Sequence, residues 1–257
     1  MLIDTHSHYD DAAFDADREQ LIDELNNKNI IAVNVGATKG SALTALEFSR
    51  KYTNIYAAIG VHPDEVAELT DEDLQNFLRY SHESKVVAIG EIGLDYHWDV
   101  NPRDVQKEWF IKQIKLAQEA CLPVNIHSRD AAQDTFDIIR NEKAGINGGI
   151  VHCYSYSVEM AREYLKMGFH FGIGGTVTFK NSKTIKETVD FLPVERIVLE
   201  TDCPYLSPSP HRGERNDSRN LPYVAAAIGE IKGMSPEDVI EITAGNAREV
   251  YGKLSRS

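Results

Sequence analysis

Two histidines, His6 and His8, stand two residues apart in the stretch Asp4-Thr5-His6-Ser7-His8, directly after the apolar run Met1-Leu2-Ile3. On a β-strand they point to one face, because side chains alternate with a period of two. Imidazole is a common ligand for divalent metals, so such a pair makes half a site. A pair of surface histidines would look the same. The pair gains meaning only if the rest of the chain brings further ligands to comparable places.

An apolar, β-like run followed by a longer amphipathic one recurs along the chain. Candidate strands are Leu2–His6, Ile30–Gly36, Ile55–Val61, Val86–Gly93, Leu122–His127, Gly149–His152, Phe169–Gly174 and Arg196–Asp202. Candidate helices are Asp17–Lys28, Gly40–Tyr52, Thr70–Ser81, Pro102–Ala120, Arg129–Glu142, Ser157–Met167, Ser182–Phe191 and Arg219–Ile231. Continuous apolar strands are expected when helices cover a parallel sheet. Eight right-handed βαβ units predict an α/β fold, a closed (β/α)8 TIM barrel, with an open doubly wound sheet as the alternative. Asn101-Pro102 reads as an N-cap followed by proline in the first turn. Ser235-Pro236-Glu237-Asp238 starts an extra C-terminal helix, which Gly245 is expected to interrupt before Asn246–Tyr251. The irregular stretch Cys203–Asn220 is long for a compact domain, and such loops are usually functional.

The ends of those strands carry the chemistry. The first run ends in His6 and His8, the fourth holds Glu91, the fifth ends in His127, the sixth in His152 and the eighth in Asp202. In a barrel these ends converge on one mouth, where the βα loops build active sites. Four histidines, a glutamate and an aspartate suit two divalent ions with one carboxylate shared between them. Any one of them has a dull explanation as a polar strand terminus, but five strands ending this way together do not.

The 257 residues predict one barrel domain spanning 1–257. The hydrophobic content of 42% is ordinary for a globular chain. No apolar run is long enough to cross a membrane, and the N-terminus lacks a basic-then-apolar leader pattern, which predicts a cytoplasmic protein. Cys121, Cys153 and Cys203 include no close pair and predict reduced thiols. The net charge of −13 argues against long-range attraction to a nucleic-acid backbone. It leaves room for a phosphate held locally by bound metals and a few cations.

The chain also resembles the TatD family of metal-dependent hydrolases, within the wider amidohydrolase-like barrels. The resemblance rests on Asp4-Thr5-His6-Ser7-His8, Gly60-Val61-His62-Pro63, Gly90-Glu91-Ile92-Gly93-Leu94-Asp95-Tyr96, Ile126-His127-Ser128-Arg129, Val151-His152-Cys153-Tyr154-Ser155 and Glu200-Thr201-Asp202-Cys203-Pro204-Tyr205-Leu206. It implies a (β/α)8 barrel with a two-metal centre and a deoxyribonuclease-type phosphodiesterase activity, with DNA or another phosphodiester as substrate and 3′-end cleavage as one form of it. Carried over residue by residue, it implies that His6, His8 and Asp202 hold one ion and His127 and His152 the other. Glu91 bridges them where many relatives have a modified lysine. Asp202 is the expected base for the attacking water. Mg, Mn, Zn, Ni and Fe all remain open as the metal. An ester or amide hydrolase on the same metal centre, such as an aminoacyl-tRNA deacylase, is the alternative.

Around the ligands, His62 and Arg129 are candidates for contact with a substrate phosphate, as are Lys180 after the seventh strand and Arg212 in the long loop. Arg129 reads equally as a surface charge starting a helix. Trp98 offers a face on which a base could stack, or simply packs. Glu200 either orients a ligand or is a buried structural acid. If their strands persist one residue further, the sulfurs of Cys153 and Cys203 point away from the metals. The segment Pro208–Asn216 resembles the family's, with Arg212 and Asn216 matching, but Asp217-Ser218 departs from it: the expected acid is kept in shortened form and the expected proline is absent. This touches the shape of the loop and no metal ligand.

Overall fold

A computed structural model describes residues 1–254; residues 255–257, which the single-domain expectation takes in, lie outside the described residues. Eight parallel strands alternate with helices in the order β1 (Leu2–Ser7), α1 (Arg18–Asn27), β2 (Ile30–Val35), α2 (Lys39–Lys51), β3 (Ile55–Ile59), α3 (Asp71–Ser81), β4 (Val86–Asp95) and α4 (Arg103–Glu119). The second half follows with β5 (Val124–Arg129), α5 (Ala132–Asn141), β6 (Gly149–Val151), α6 (Val158–Lys166), β7 (His170–Ile173), α7 (Lys183–Phe191), β8 (Ile197–Leu199), α8 (Leu221–Lys232) and α9 (Pro236–Val250). Each strand pairs with the next, from β1 to β8. The ring closes where Ser7 bridges Cys203 in parallel. There His8 N–H donates to the Cys203 carbonyl at 2.9 Å, and Asp202 N–H to that of His6 at 2.9 Å. This is the (β/α)8 barrel, closed rather than open.

The strands are apolar on both faces because each is buried twice. Ile59, Ile89, Ile92, Val124, Ile126, Phe171 and Ile173 join one large core with the covering helices. Ile3, Val35, Ala58, Ala88, Ile150 and Val198 pack with Ala247 and Val250 of α9 and with Tyr251 just past its end. The extra C-terminal helix therefore stoppers the barrel at one end.

Three local expectations change. First, α9 runs unbroken through Gly245, whose missing side chain faces open space. A glycine there costs a helix about 1 kcal/mol, too little to break one anchored by its neighbours. Second, Asn101 does not cap α4: its amide is spent on the Pro63 carbonyl at 2.9 Å, and Pro102 stands at the cap position. Third, Arg129 ends β5 instead of opening α5. Among the described residues no helix is long and apolar enough to cross a membrane, and all three cysteines are free thiols.

Candidate metal centre

β4 places the central carboxylate through its glycines. Gly90 and Gly93 flank Glu91 at φ 136° and 153°, and a Cβ on either would run into the backbone oxygen of Asn125 or His127 on β5. Only glycine tolerates both the conformation and the approach. The β4–β5 register shifts in this segment, between Ile89 and Ile92. Such irregularities re-aim a side chain, and here Glu91 turns into the barrel mouth.

The six predicted ligand side chains meet there. Glu91 Oε1 lies 2.9 Å from both His127 Nδ1 and His152 Nε2. Its Oε2 lies 3.6 Å from His6 Nε2 and 3.8 Å from His8 Nε2. Asp202 Oδ1 is 3.4 Å from His8 Nε2 and 3.9 Å from His6 Nε2. His6 and His152 stack with ring centroids 3.9 Å apart. Asp202 follows the end of β8 in a left-handed conformation at φ 56°. A non-glycine residue there is uncommon and tends to mark a functional position.

Hydrogen bonds decide which ring atoms face inward. A carbonyl can only accept, so the 2.9 Å contact of His8 Nδ1 with the Val35 carbonyl makes Nδ1 the donor. Nε2 then turns toward Glu91 and Asp202. His127 Nε2 bonds Asp95 Oδ2 at 3.0 Å, leaving Nδ1 for the centre. Carboxylate–histidine pairs of this kind hold a metal ligand's tautomer and orientation. Asp95 is thus a functional residue without an expected role, although the alternation that puts Glu91 on the inner face puts Asp95 there too.

His62 plays a different part. Its Nδ1 accepts the Asp64 N–H at 3.2 Å. In the neutral ring Nε2 must therefore carry the proton, and it lies 3.9 Å from Glu91 Oε1. Burial, with His127 beside it, lowers the His62 pKa to about 3, so the ring is neutral at pH 7. It presents an N–H to the mouth rather than a lone pair.

The charges are coupled. Burial by itself would raise the Glu91 carboxyl, but His152, His62 and His6 hold it well below the usual range. Burial and His152 lower His6 to about 4. Burial also works against protonation of His8 and His127, yet bonds to Asp202 and to Asp95 respectively lift both to about 9. The donor set fits a divalent metal. Four groupings, His6–His152–Asp202, His6–His8–Glu91, Glu91–His127–His152 and His62–Asp95–His127, bring their ligand atoms within 4.8 Å of one another. Nδ1 of His6 and of His152 are buried without a hydrogen-bond partner. The inward nitrogens of His6, His8, His127 and His152 converge on the Glu91 and Asp202 carboxylates, a nitrogen–oxygen donor set of the kind that holds divalent ions.

Behind the centre, Glu200 Oε1 accepts the Cys153 N–H at 2.5 Å and lies 3.8 Å from His152 Nδ1. It backs His152 from a fully buried position, and burial raises its pKa to about 8. The strands stop before Cys153 and Cys203, so strand alternation does not apply to them; neither sulfur joins a metal-binding grouping among the described residues. Asp4, unassigned from sequence, is fully buried on β1. Its Oδ2 accepts from Thr201 Oγ1 at 2.6 Å and Ser218 Oγ at 2.5 Å. Its Oδ1 accepts from Thr201 N at 3.0 Å. The serine in place of the expected proline is thus a hydroxyl bridge from the long loop to β1. Asn216 fixes the same loop by donating to the Thr201 and Tyr205 carbonyls.

The expected cations are not in the cluster. Arg129 is exposed, with its guanidinium 5.5 Å from the Trp98 ring centre. Lys180 is exposed on the β7–α7 connection. Exposed Arg212 lies 4.0 Å from the ring centre of neighbouring Phe179.

This barrel, with a histidine–carboxylate cluster at the C-terminal ends of its strands, defines a metal-dependent hydrolase of the (β/α)8 class. The family described as TatD related DNase matches residues 3–252. The chain is 46% identical over 252 residues to the Bacillus subtilis protein named uncharacterized metal-dependent hydrolase YabD, covering 98% of this chain and 99% of that one. It is 36% identical to the Mycobacterium tuberculosis protein named uncharacterized metal-dependent hydrolase TatD, covering 98% of each. The crystal structure of YjjV, a TatD homologue from Escherichia coli, superposes with a TM-score of 0.90 at 27% identity and 98% coverage of both chains. The chain belongs to the TatD family.

Proposed function

We propose that the protein is a two-metal phosphodiesterase acting on DNA, with cleavage from a 3′ end as the expected polarity. The observation that carries this reading is Glu91, whose two oxygens face two separate groups of nitrogens: His127 and His152 on one side, His6 and His8 on the other. A carboxylate so placed suits two ions held side by side. His6, His8 and Asp202 would hold one and His127 and His152 the other, with Glu91 within reach of both. Two divalent ions, when bound, acidify a water and steady charge on the phosphate oxygens.

The chain's own groups do the rest. Burial would raise the Asp202 carboxyl, but the His8 bond, with His152 and His6 nearby, holds it below its ordinary value. It is therefore ionised at pH 7 and able to take the proton of the attacking water. The N–H of His62 is available to a phosphate oxygen, which a neutral donor binds without adding charge to the centre. Arg129 at the end of β5, and Lys180 and Arg212 on βα loops, lie outside the cluster, suited to flanking phosphates.

Purified protein loaded with Mg, Mn or Zn, assayed on single-stranded DNA, on bis-p-nitrophenyl phosphate and on an ester panel that includes charged tRNA, tests the reading. DNA and diester turnover are expected. Ester turnover without phosphodiester turnover would overturn it in favour of the deacylase.

A further inference from the structure

Trp98 is exposed over 63% of its surface, yet it is not loosely held. Its N–H and that of His97 both donate to Asp95 Oδ1, at 3.2 and 2.8 Å. The other oxygen of the same carboxylate accepts a hydrogen bond from His127 Nε2 at 3.0 Å. Two hydrogen bonds therefore separate the Trp98 backbone from a side chain of the metal centre. The His97 ring meets the indole edge-on at 4.9 Å, and His97 is anchored in turn to Asp130 Oδ2 at 3.0 Å. The Arg129 guanidinium lies over the indole, 5.5 Å from its centre. β5 holds that arginine beside β4 through its pairing with Asp95 and the Tyr96 N–H bond to its carbonyl.

A large apolar ring fixed in place but left in water gains nothing from burial. It gains when a flat partner covers it. The adjacent guanidinium adds a positive charge beside that ring, of the sign that a nucleotide's phosphate would favour. On a chain with net charge −13, a cation next to an exposed aromatic face selects for a ligand that is both planar and anionic.

We propose that Trp98, with Arg129 against its ring, is a stacking platform for an unpaired base of single-stranded DNA, next to the scissile position. The proposal rests on the phosphodiesterase reading and deepens it by making strandedness the selected property: a base held in a duplex stack cannot lie on the indole. Asp95 couples the platform to the centre, so one carboxylate sets both the His127 ring and the height of the stacked base.

Two measurements test it. In a Trp109→Phe, Asp202→Asn background the only tryptophan is Trp98, and its emission reports the platform without turnover. A single-stranded thymidine oligomer is expected to quench it saturably, and an abasic oligomer of equal length is expected to quench it little. No quenching, or equal quenching by both, overturns the platform. Quenching of the variant by the thymidine oligomer, together with no phosphodiester turnover by the unaltered metal-loaded protein, upholds the platform and removes the nuclease reading, which keeps the two failures apart. In an otherwise unchanged protein, Trp98→Ala should lower kcat/KM on the thymidine oligomer by roughly tenfold or more, mostly through KM. It should also erase the preference over the abasic oligomer, and Trp98→Phe should restore most of that preference. Equal loss on both oligomers would mean that Trp98 only supports the loop.

Discussion

Asp202 Oδ1 and His8 Nε2 lie 3.4 Å apart although the two residues stand near opposite ends of the chain. The contact exists because β1 closes against the segment after β8, with backbone bonds joining His6 to Asp202 and His8 to Cys203. The proposed base, Asp202, and the proposed ligands His6 and His8 are thus brought together by closure of the barrel.

Replacing Asp202 by Asn is expected to lower kcat by at least about 100-fold, in line with loss of a general base, while the fold persists because the amide fits the same space. Turnover of the variant on DNA, beside its circular dichroism and melting temperature, checks this. Near-normal turnover would refute the assignment.

Asp95→Asn addresses the His127 tautomer. An amide offers Nε2 a weaker acceptor or, turned over, a competing donor. A loss of roughly 10- to 100-fold in metal affinity or activity is expected, the usual range when a ligand's outer partner is removed. Metal titration separates this from misfolding: an unchanged dissociation constant would show that His127 is oriented by Glu91 alone.

Metal binding should release protons. Burial works against charge on His8 and His127, but their carboxylate partners lift both to about 9, so both hold a proton at pH 7 in the metal-free protein. A ligating ring nitrogen must give that proton up. Because the values are raised, the release is full well below pH 9 and fades as pH climbs through it. Calorimetric titration in buffers of different ionisation enthalpy reads the count directly; a pH-independent count would contradict the assignment. The same competition predicts that activity falls at acid pH, and a profile flat down to about pH 4 would count against histidine ligation.

Asp4→Ala should destabilise the fold by about 3 kcal/mol or more, because the Thr201 and Ser218 donors would be left buried and unpaired at roughly 1–3 kcal/mol each. Asp4→Asn, which keeps one acceptor, should cost less. Urea unfolding measures both, and equal stability of Asp4→Ala and the unaltered protein would show that water replaces the carboxylate.

The sequence by itself determined the alternation of strands and helices and the location of six ligand candidates. Both follow from short-range rules: apolar runs of strand length must be covered, and polar residues at their C-terminal ends must share one rim. The spacing of His6 and His8 suggests a pair on one face, although β1 itself ends at Ser7 and the Val35 carbonyl is what orients His8. What only the tertiary structure decided depends on pairs far apart in the chain. Asp4 meets Ser218, Asp95 meets His127, and the Val35 carbonyl fixes which nitrogen of His8 faces the centre. Asp95 was within reach of the alternation argument, but its partner was not. Gly245 shows the converse: a strong local signal for a break yields to the packing of Ala244, Ala247, Val250 and Tyr251 against the strands, because burial outweighs a propensity cost of about 1 kcal/mol.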